Sequence, residues 1–352
     1  MGKQEVIICK DFGSELEAVL AKHRYNKLFV LTDENTRKLC LPLIEDLECL
    51  KGATFITIGA GDVNKNLETL AHVWNCLSTS GATRSSMMLN LGGGMVTDLG
   101  GFAAATFKRG ISYINIPTTL LSMVDAAVGG KTGINFLNLK NEIGAFAPAD
   151  AVLLDCSFLK TLDKENILSG YAEMLKHGLI STVENWSELV RFDMDNIDYG
   201  VLQTLVGKSV QVKENIVIQD PFEHGIRKAL NFGHTVGHAF ESFALERNPV
   251  LHGYAVAWGM VCELYLSSLR TGFPTDKLHQ TLRFIKENYG CLGITCDDYP
   301  KLYEFMKHDK KNMSAGRINF TLLGEVGDIR INQTADEKEI FEILDFYRET
   351  MG

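Results

Sequence analysis

Residues 85–94 read SSMMLNLGGG, an apolar run of strand length that breaks into three glycines. Such a run reads as a strand buried on both faces, and Gly92, Gly93 and Gly94 read as a turn that opens a helix. Working outward, the first 150 residues alternate in the same manner. KLFVLTD (27–33) is a second buried-type strand that ends in polar Asp33, and EVIICK (5–10), ATFITIGAG (53–61) and ISYINI (111–116) are further strands. GSELEAVLAKH (13–23) and NLETLAHVWNCLSTSG (66–81) have helical spacing, the second closed by Gly81. Alternation of this kind predicts a parallel sheet covered by helices.

After Asp155 the pattern changes. KENILSGYAEMLKHGLIS (164–181), YGVLQTLVGKSVQVKENIVIQ (199–219), ALNFGHTVGHAFESFALE (229–246), GYAVAWGMVCELYLSSLRTG (253–272) and ADEKEIFEILDFYRETM (335–351) all read as helices. RINFTLL (317–323) reads as one short strand. The expectation is an α/β, Rossmann-like N-terminal domain over 1–155 and a mostly α-helical C-terminal domain over 156–352. The active site is expected in the cleft between them, because ligand sites favour domain interfaces and the carboxyl ends of parallel strands.

Composition narrows the class of function. The chain has 352 residues, 45% hydrophobic and 22% charged, with a formal net charge of -9. That balance speaks against nucleic acid or an anionic membrane as partner. An acidic small ligand stays open, since the local charge of a cleft outweighs the global sum. The eight cysteines include no Cys-x-x-Cys and read as free thiols in a reducing cytoplasm. No secretory signal or run of about 18 apolar residues is recognised, so a cytoplasmic protein is expected.

Several polar residues stand in informative places. The turn at Gly92–Gly94 lets backbone N–H groups approach a pyrophosphate, although it is equally a tight strand-to-helix turn and lacks the Gly-x-Gly-x-x-Gly spacing. Asp33 suits either ribose hydroxyls or a helix N-cap. Gly129, Gly130, Lys131, Thr132 and Gly133 lack the spacer of a phosphate-binding P-loop; Lys131 there offers an anion site or simply lies in a surface loop. His234 and His238 are four apart on a predicted helix, so spacing alone pairs them on one face. Thr235 occupies the position where a zinc protease has its glutamate, which removes the peptidase reading. His252 and Glu173 add an imidazole and a carboxylate, a donor set that suits catalytic zinc. Arg109, Lys131, Lys140, Lys176, Lys213, Arg227, Lys310 and Lys311 suggest a pocket for a ligand with more than one anionic group.

In order along the chain, GGGMVTDLGGFAAATFKRG (92–110), IPTTLLSMVDAAVGGKTGIN (116–135), KNEIGAF (140–146), GYAEMLKHG (170–178), LNFGHTVGHAFE (230–241), LHGYAVAWGM (251–260) and HDKKN (308–312) resemble the 3-dehydroquinate synthase family of sugar-phosphate cyclases. The resemblance covers nearly the whole chain. It implies that Asp33, Asp62, Lys65, Gly93, Gly94, Asp98, Thr118 and Thr119 hold NAD. It implies a divalent metal, zinc with cobalt as the alternative, on Glu173, His234 and His252. Asp125, Lys131, Lys176 and His238 would be catalytic. Lys140, Asn141, Lys213, Arg227 and Lys310 or Lys311 would bind substrate, and Arg109 would reach the phosphate in the other subunit of a homodimer.

The implied reaction converts 3-deoxy-D-arabino-heptulosonate 7-phosphate to 3-dehydroquinate and phosphate, in the shikimate pathway. It would run by transient oxidation with NAD, β-elimination of phosphate, re-reduction and an intramolecular aldol closure. Tyr254, Ala126 and Asp62 depart from the family's usual Glu, Ser and Glu. Rival readings are another sugar-phosphate cyclase, an NAD- and metal-dependent polyol dehydrogenase, and a non-catalytic NAD or metal sensor.

Overall fold

The structure is a computed structural model that describes residues 4–137, 139–307 and 317–352. The chain divides into two compact units, Met1–Asp163 with Tyr199–Val210, and Lys164–Asp198 with Gln211–Gly352. The first unit carries β1 (Glu5–Ile8), α1 (Phe12–Ala21), β2 (Leu28–Asp33), α2 (Glu34–Leu39), β3 (Thr54–Ile58), α3 (Leu67–Thr79), β4 (Met87–Gly92), α4 (Gly94–Thr106), β5 (Ser112–Pro117), β6 (Lys131–Phe136), β7 (Leu139–Phe146) and β8 (Ala151–Leu154). Six of these strands form one sheet in the order β1-β8-β5-β4-β2-β3. Every neighbouring pair in it is parallel. All six residues of β2 and of β4 are buried, as strands covered on both faces require. The register sets Gly92 beside Pro117, so the glycine turn after β4 lies next to Thr118 and Thr119 after β5.

The second unit contains α5 (Lys164–Leu179), α6 (Val183–Val190), the C-terminal part of α7 (Tyr199–Gln219), α8 (His234–Leu245), α9 (His252–Thr271), α10 (Thr275–Tyr289), α11 (Tyr299–Lys307), β9 (Ile318–Glu325), β10 (Asp328–Ala335) and α12 (Glu337–Met351). Helix α9 is apolar almost all round and packs on α5, α8, α10, α12 and β9. A helix with no polar face is stable only when neighbours surround it, which makes α9 the axis of this unit. Among the described residues, no helix is long and apolar enough to cross a membrane.

The expected α/β half and mostly helical half are both present. Three local readings differ. ALNFG is not the first turn of a helix: Ile226–Asn231 form a 3-10 turn, Gly233 is left-handed at φ 80°, and α8 starts at His234. RINFTLL is one arm of an antiparallel hairpin whose other arm, β10, is too polar to stand out as a strand. Lys131, Thr132 and Gly133 open β6, which pairs antiparallel with β7 in a hairpin outside the main sheet.

Candidate active site

In the second unit three helices bring their ends or faces together. Helix α5 supplies Glu173 and, one turn on, Lys176; α8 supplies His234 and His238; α9 starts at His252. The start of α8 has an unusual cap. Gly233 has no side chain to offer, so the Glu263 carboxylate from α9 accepts the N–H groups of Gly233 (2.7 Å), Thr235 (3.0 Å) and Val236 (3.2 Å). That satisfies three amides left over at a helix N-terminus and fixes where His234 sits. A side chain on Gly233 would be strained at its φ, and its Cβ would lie 2.5 Å from Met260 Cγ.

Glu173 is fully buried and Lys176 nearly so, and the Lys176 ammonium donates to Glu173 Oε2. The other oxygen, Oε1, has no hydrogen-bond partner. It faces His234 Nε2 at 3.4 Å and His252 Nε2 at 3.6 Å. Both rings are oriented by their far nitrogens: His234 Nδ1 contacts the Phe232 carbonyl oxygen at 3.1 Å, and His252 Nδ1 contacts Glu241 Oε2 at 3.0 Å. A buried carboxylate oxygen without a partner is costly unless a cation completes it. Two imidazoles held by second partners, with Nε2 turned to that oxygen, are the donor set of a zinc site. One donor atom each from Glu173, His234 and His252 lies within 4.8 Å of the others.

His238 joins the cluster, its ring centroid 5.3 Å from that of His234 and 5.9 Å from that of His252. A second set, His238, Glu241 and His252, meets the same distance limit. It is the weaker candidate, because Glu241 already engages His252 Nδ1 and all three residues are only half-buried.

The charges of this cluster follow from burial and neighbours. Burial and the Lys176 ammonium push His234 down to about 3, so its ring is neutral near pH 7. Burial acts in the same direction on His252, but Glu173 and Glu241 outweigh it and raise that group to about 9. Burial opposes ionisation of Glu173, yet Lys176 and His234 hold its carboxyl well below the usual range. Lys213 on α7 and Arg227 in the 3-10 turn are also buried in this unit. The Asp220 carboxylate accepts the backbone N–H groups of His224, Gly225 and Arg227 and so shapes that turn.

The first unit carries the expected cofactor residues in several local settings. Helix α4 is capped by Gly93 with no side-chain hydrogen bond, and its first turn has no acidic residue. Its leading amides therefore suit an anion. A Cβ on Gly93 would lie 3.0 Å from Thr119 Cγ2, so glycine lets the two turns after β4 and β5 pack closely. Asp33 caps α2 in a capping box with Thr36. Lys65, almost fully buried, donates to Asp98 Oδ2 and to Asn141 Oδ1, both at 2.5 Å. Asp62 accepts from Asn135.

Asp125 lies in a π-helical turn, Ser122–Ala126, while Lys131 and Lys140 are exposed on the β6–β7 hairpin. Arg109 is exposed in a tight turn where Lys108 (φ 50°) and Arg109 (φ 70°) are both left-handed, not at a regular helix end. Lys310 and Lys311 lie outside the described residues.

Comparison with known proteins decides the family. The model for 3-dehydroquinate synthase N-terminal domains matches residues 55–169, and that for the C-terminal domain matches 170–312. A 3-dehydroquinate synthase of Parabacteroides distasonis is 58% identical over 353 residues, covering 100% of both chains. The chain belongs to the 3-dehydroquinate synthase family.

Two solved structures share its fold. A 2-deoxy-scyllo-inosose synthase in complex with carbaglucose-6-phosphate, NAD+ and Co2+ has a TM-score of 0.86 at 21% identity, covering 98% of this chain and 96% of its own. The 2-epi-5-epi-valiolone synthase of Streptomyces hygroscopicus, with NAD+ and Zn2+ bound, has a TM-score of 0.81 at 26% identity, covering 99% and 98%. In this 3-dehydroquinate synthase family member, three polar residues escaped the sequence reading. Glu263 and Glu241 sit among apolar helical neighbours, and only their placement on the core side of α9 and α8 would have flagged them. Asn135 looked like the end of a glycine-rich loop.

Proposed function

We propose that this chain is a 3-dehydroquinate synthase, a lyase that converts 3-deoxy-D-arabino-heptulosonate 7-phosphate to 3-dehydroquinate and phosphate. The observation that carries the reading is the convergence of Glu173 Oε1, His234 Nε2 and His252 Nε2 on one point, in a chain of this family. In this reading Glu173, His234 and His252 hold a divalent cation, zinc or alternatively cobalt, and the Gly93–Gly94 turn with Asp33, Asp62, Lys65, Asp98, Thr118 and Thr119 holds NAD. When bound, the cation polarises an alcohol oxygen as a Lewis acid, and NAD accepts and returns one hydride.

The chain's own residues do the rest. In the second unit, the Lys176 ammonium donates one of its three hydrogens to Glu173 and has others to offer an oxygen that gains negative charge. A ring nitrogen of His238 moves a proton beside the metal set. Lys213 and Arg227 are buried cations suited to the substrate's anionic groups. In the first unit, Asp125, Lys131, Lys140 and Asn141 are the proposed substrate-binding residues. The eight free cysteines accord with a reducing cytoplasm.

The test is incubation with the heptulosonate phosphate and catalytic NAD, measuring phosphate, dehydroquinate and NADH together. Phosphate and dehydroquinate should appear in equal amounts and greatly exceed NADH. One NADH per substrate consumed would instead favour a polyol dehydrogenase, and phosphate release without dehydroquinate another cyclase.

The proposal includes a homodimer in which Arg109 reaches the partner's phosphate site. Its support is the family membership, together with the exposed position of Arg109 in the left-handed turn between α4 and β5. Arg109→Ala subunits mixed with Lys131→Ala subunits give mixed dimers with one site doubly defective and the other intact. About half of wild-type activity per mixed dimer is expected, since one of two sites is restored. No recovery, with mixed dimers demonstrably present, would place Arg109 in its own subunit's site.

A further inference from the structure

The β6–β7 ladder is interrupted once: Ile134 pairs with Ile143 and Phe136 with Leu139, so Asn135 alone on β6 faces the three residues 140–142 on β7. The surplus residues bulge β7 and leave Asn135 out of the ladder, bonded instead to the segment at Asp62–Lys65. Its backbone N–H donates to the Lys65 carbonyl oxygen at 2.7 Å. Its side-chain Nδ2 donates to the Asp62 carbonyl oxygen at 3.2 Å and to Asp62 Oδ2 at 3.0 Å. Its Oδ1 accepts the backbone N–H of Asn141 at 2.9 Å.

Asn141 is itself left-handed, at φ 52°, and its Oδ1 accepts from Lys65 Nζ, which also donates to Asp98. The result is a closed frame in which one amide ties two segments together. The amide cannot be turned round without setting its NH2 against the Asn141 N–H and its oxygen against the Asp62 carboxylate.

The two segments serve different ligands in the reading above, on which this inference rests: Asp62 and Lys65 hold NAD, and Lys140 and Asn141 hold substrate. We propose that Asn135 is a positioning residue that couples them, so that filling the NAD segment orders the hairpin for substrate, and the reverse. Asn135 is half-buried, so its bonds compete with water. A ligand that orders one side therefore strengthens the frame for the other, and the coupling is reciprocal.

The experiment is calorimetric titration of NAD into the metal-loaded full chain, with and without saturating 3-dehydroquinate, which cannot run backwards when phosphate is absent. In the wild type, 3-dehydroquinate should tighten NAD binding by about fivefold or more. In Asn135→Ala that factor should fall to within about twofold of unity. Asn135→Asp retains an acceptor for the Asn141 N–H but sets a carboxylate against Asp62. It should lose the coupling as well, and it keeps the question answerable if the alanine variant does not fold.

A wild type without coupling overturns the proposal, as does a variant that weakens each ligand alone while the factor stays unchanged. The latter result would make Asn135 a structural bulge residue only. Phosphate release by the wild type is read separately, so failure of the synthase assignment and failure of the coupling are distinct outcomes.

Discussion

Glu173→Ala and His252→Ala should emerge from dialysis without bound metal and with turnover reduced at least ~100–1,000-fold, the scale for losing a key electrostatic group at the reacting centre. His238→Ala should keep most of its metal and lose ~100–10,000-fold in turnover, as removal of a general acid or base does. The contrast follows from geometry. Spacing alone pairs His234 with His238, since both lie on one face of α8. The structure turns Nε2 of His252, from a different helix, to the same Glu173 oxygen that His234 faces. It also gives His252 a fixed orientation through Glu241.

Glu173→Ala carries a second penalty. The Lys176 ammonium is about 1% exposed and would lose the carboxylate it is paired with, which costs roughly 3–5 kcal/mol. Glu173→Gln keeps the shape and an amide oxygen toward Lys176, so it separates metal loss from unfolding. Metal loss in both the His238 and His252 variants, with metal kept in Glu173→Gln, would move the site to His238, Glu241 and His252.

The parts of this fold that were legible are those whose burial leaves a periodic mark. Strands such as KLFVLTD and MMLNLG are continuous apolar runs because both faces are covered, and they stand out at a glance. The β6–β7 hairpin left no such mark. Most of β7 is exposed, and its tight pairing across Gly133 and Gly144 looks in sequence like loop chemistry. β10 failed for the same reason, being half-exposed and polar.

At the site, the chemical identities were legible but their convergence was not. Glu173, His234 and His252 lie far apart in the chain, and no periodicity joins α5, α8 and α9. Their grouping came from family resemblance, not from spacing. One signal was present and unused: Gly233 and Gly237 on one side, Gly253 and Gly259 on the other. Small residues at such intervals let helix backbones approach closely. A Cβ at Gly259 would meet the Gly233 carbonyl oxygen at 2.1 Å, so α8 and α9 touch where the histidines are mounted.

Gly253→Ala should therefore disable the metal site from beside it, without removing any ligand. Helix propensity alone argues the opposite, since alanine in a helix is favoured over glycine by ~1 kcal/mol. Sterics decide against it. A Cβ at position 253 would lie 1.9 Å from the Ser169 carbonyl oxygen, 2.5 Å from its carbonyl carbon and 2.6 Å from its Cα. These are backbone atoms of α5 and cannot rotate away, so α9 must withdraw from α5 by more than ~1 Å to reach normal contact distance. The Gly253 N–H also donates to Ser169 Oγ at 3.1 Å, and that bond would be lost.

Overpacking of this kind costs ~1–3 kcal/mol or more, which exceeds the propensity gain. The displacement falls on the proposed ligands themselves. Glu173 is one turn beyond Ser169 on α5, and His252 is the residue before Gly253 on α9. Ser169 and Gly253 thus set the reach between the carboxylate and the imidazole. Gly293→Ala is the matched control, because nothing lies within 4 Å of a Cβ there. The expected result is a lower thermal midpoint and little retained metal in Gly253→Ala, with both near wild type in Gly293→Ala. A Gly253→Ala protein that binds metal stoichiometrically and melts like the wild type would mean that α5 and α9 are not held together as tightly as this contact requires.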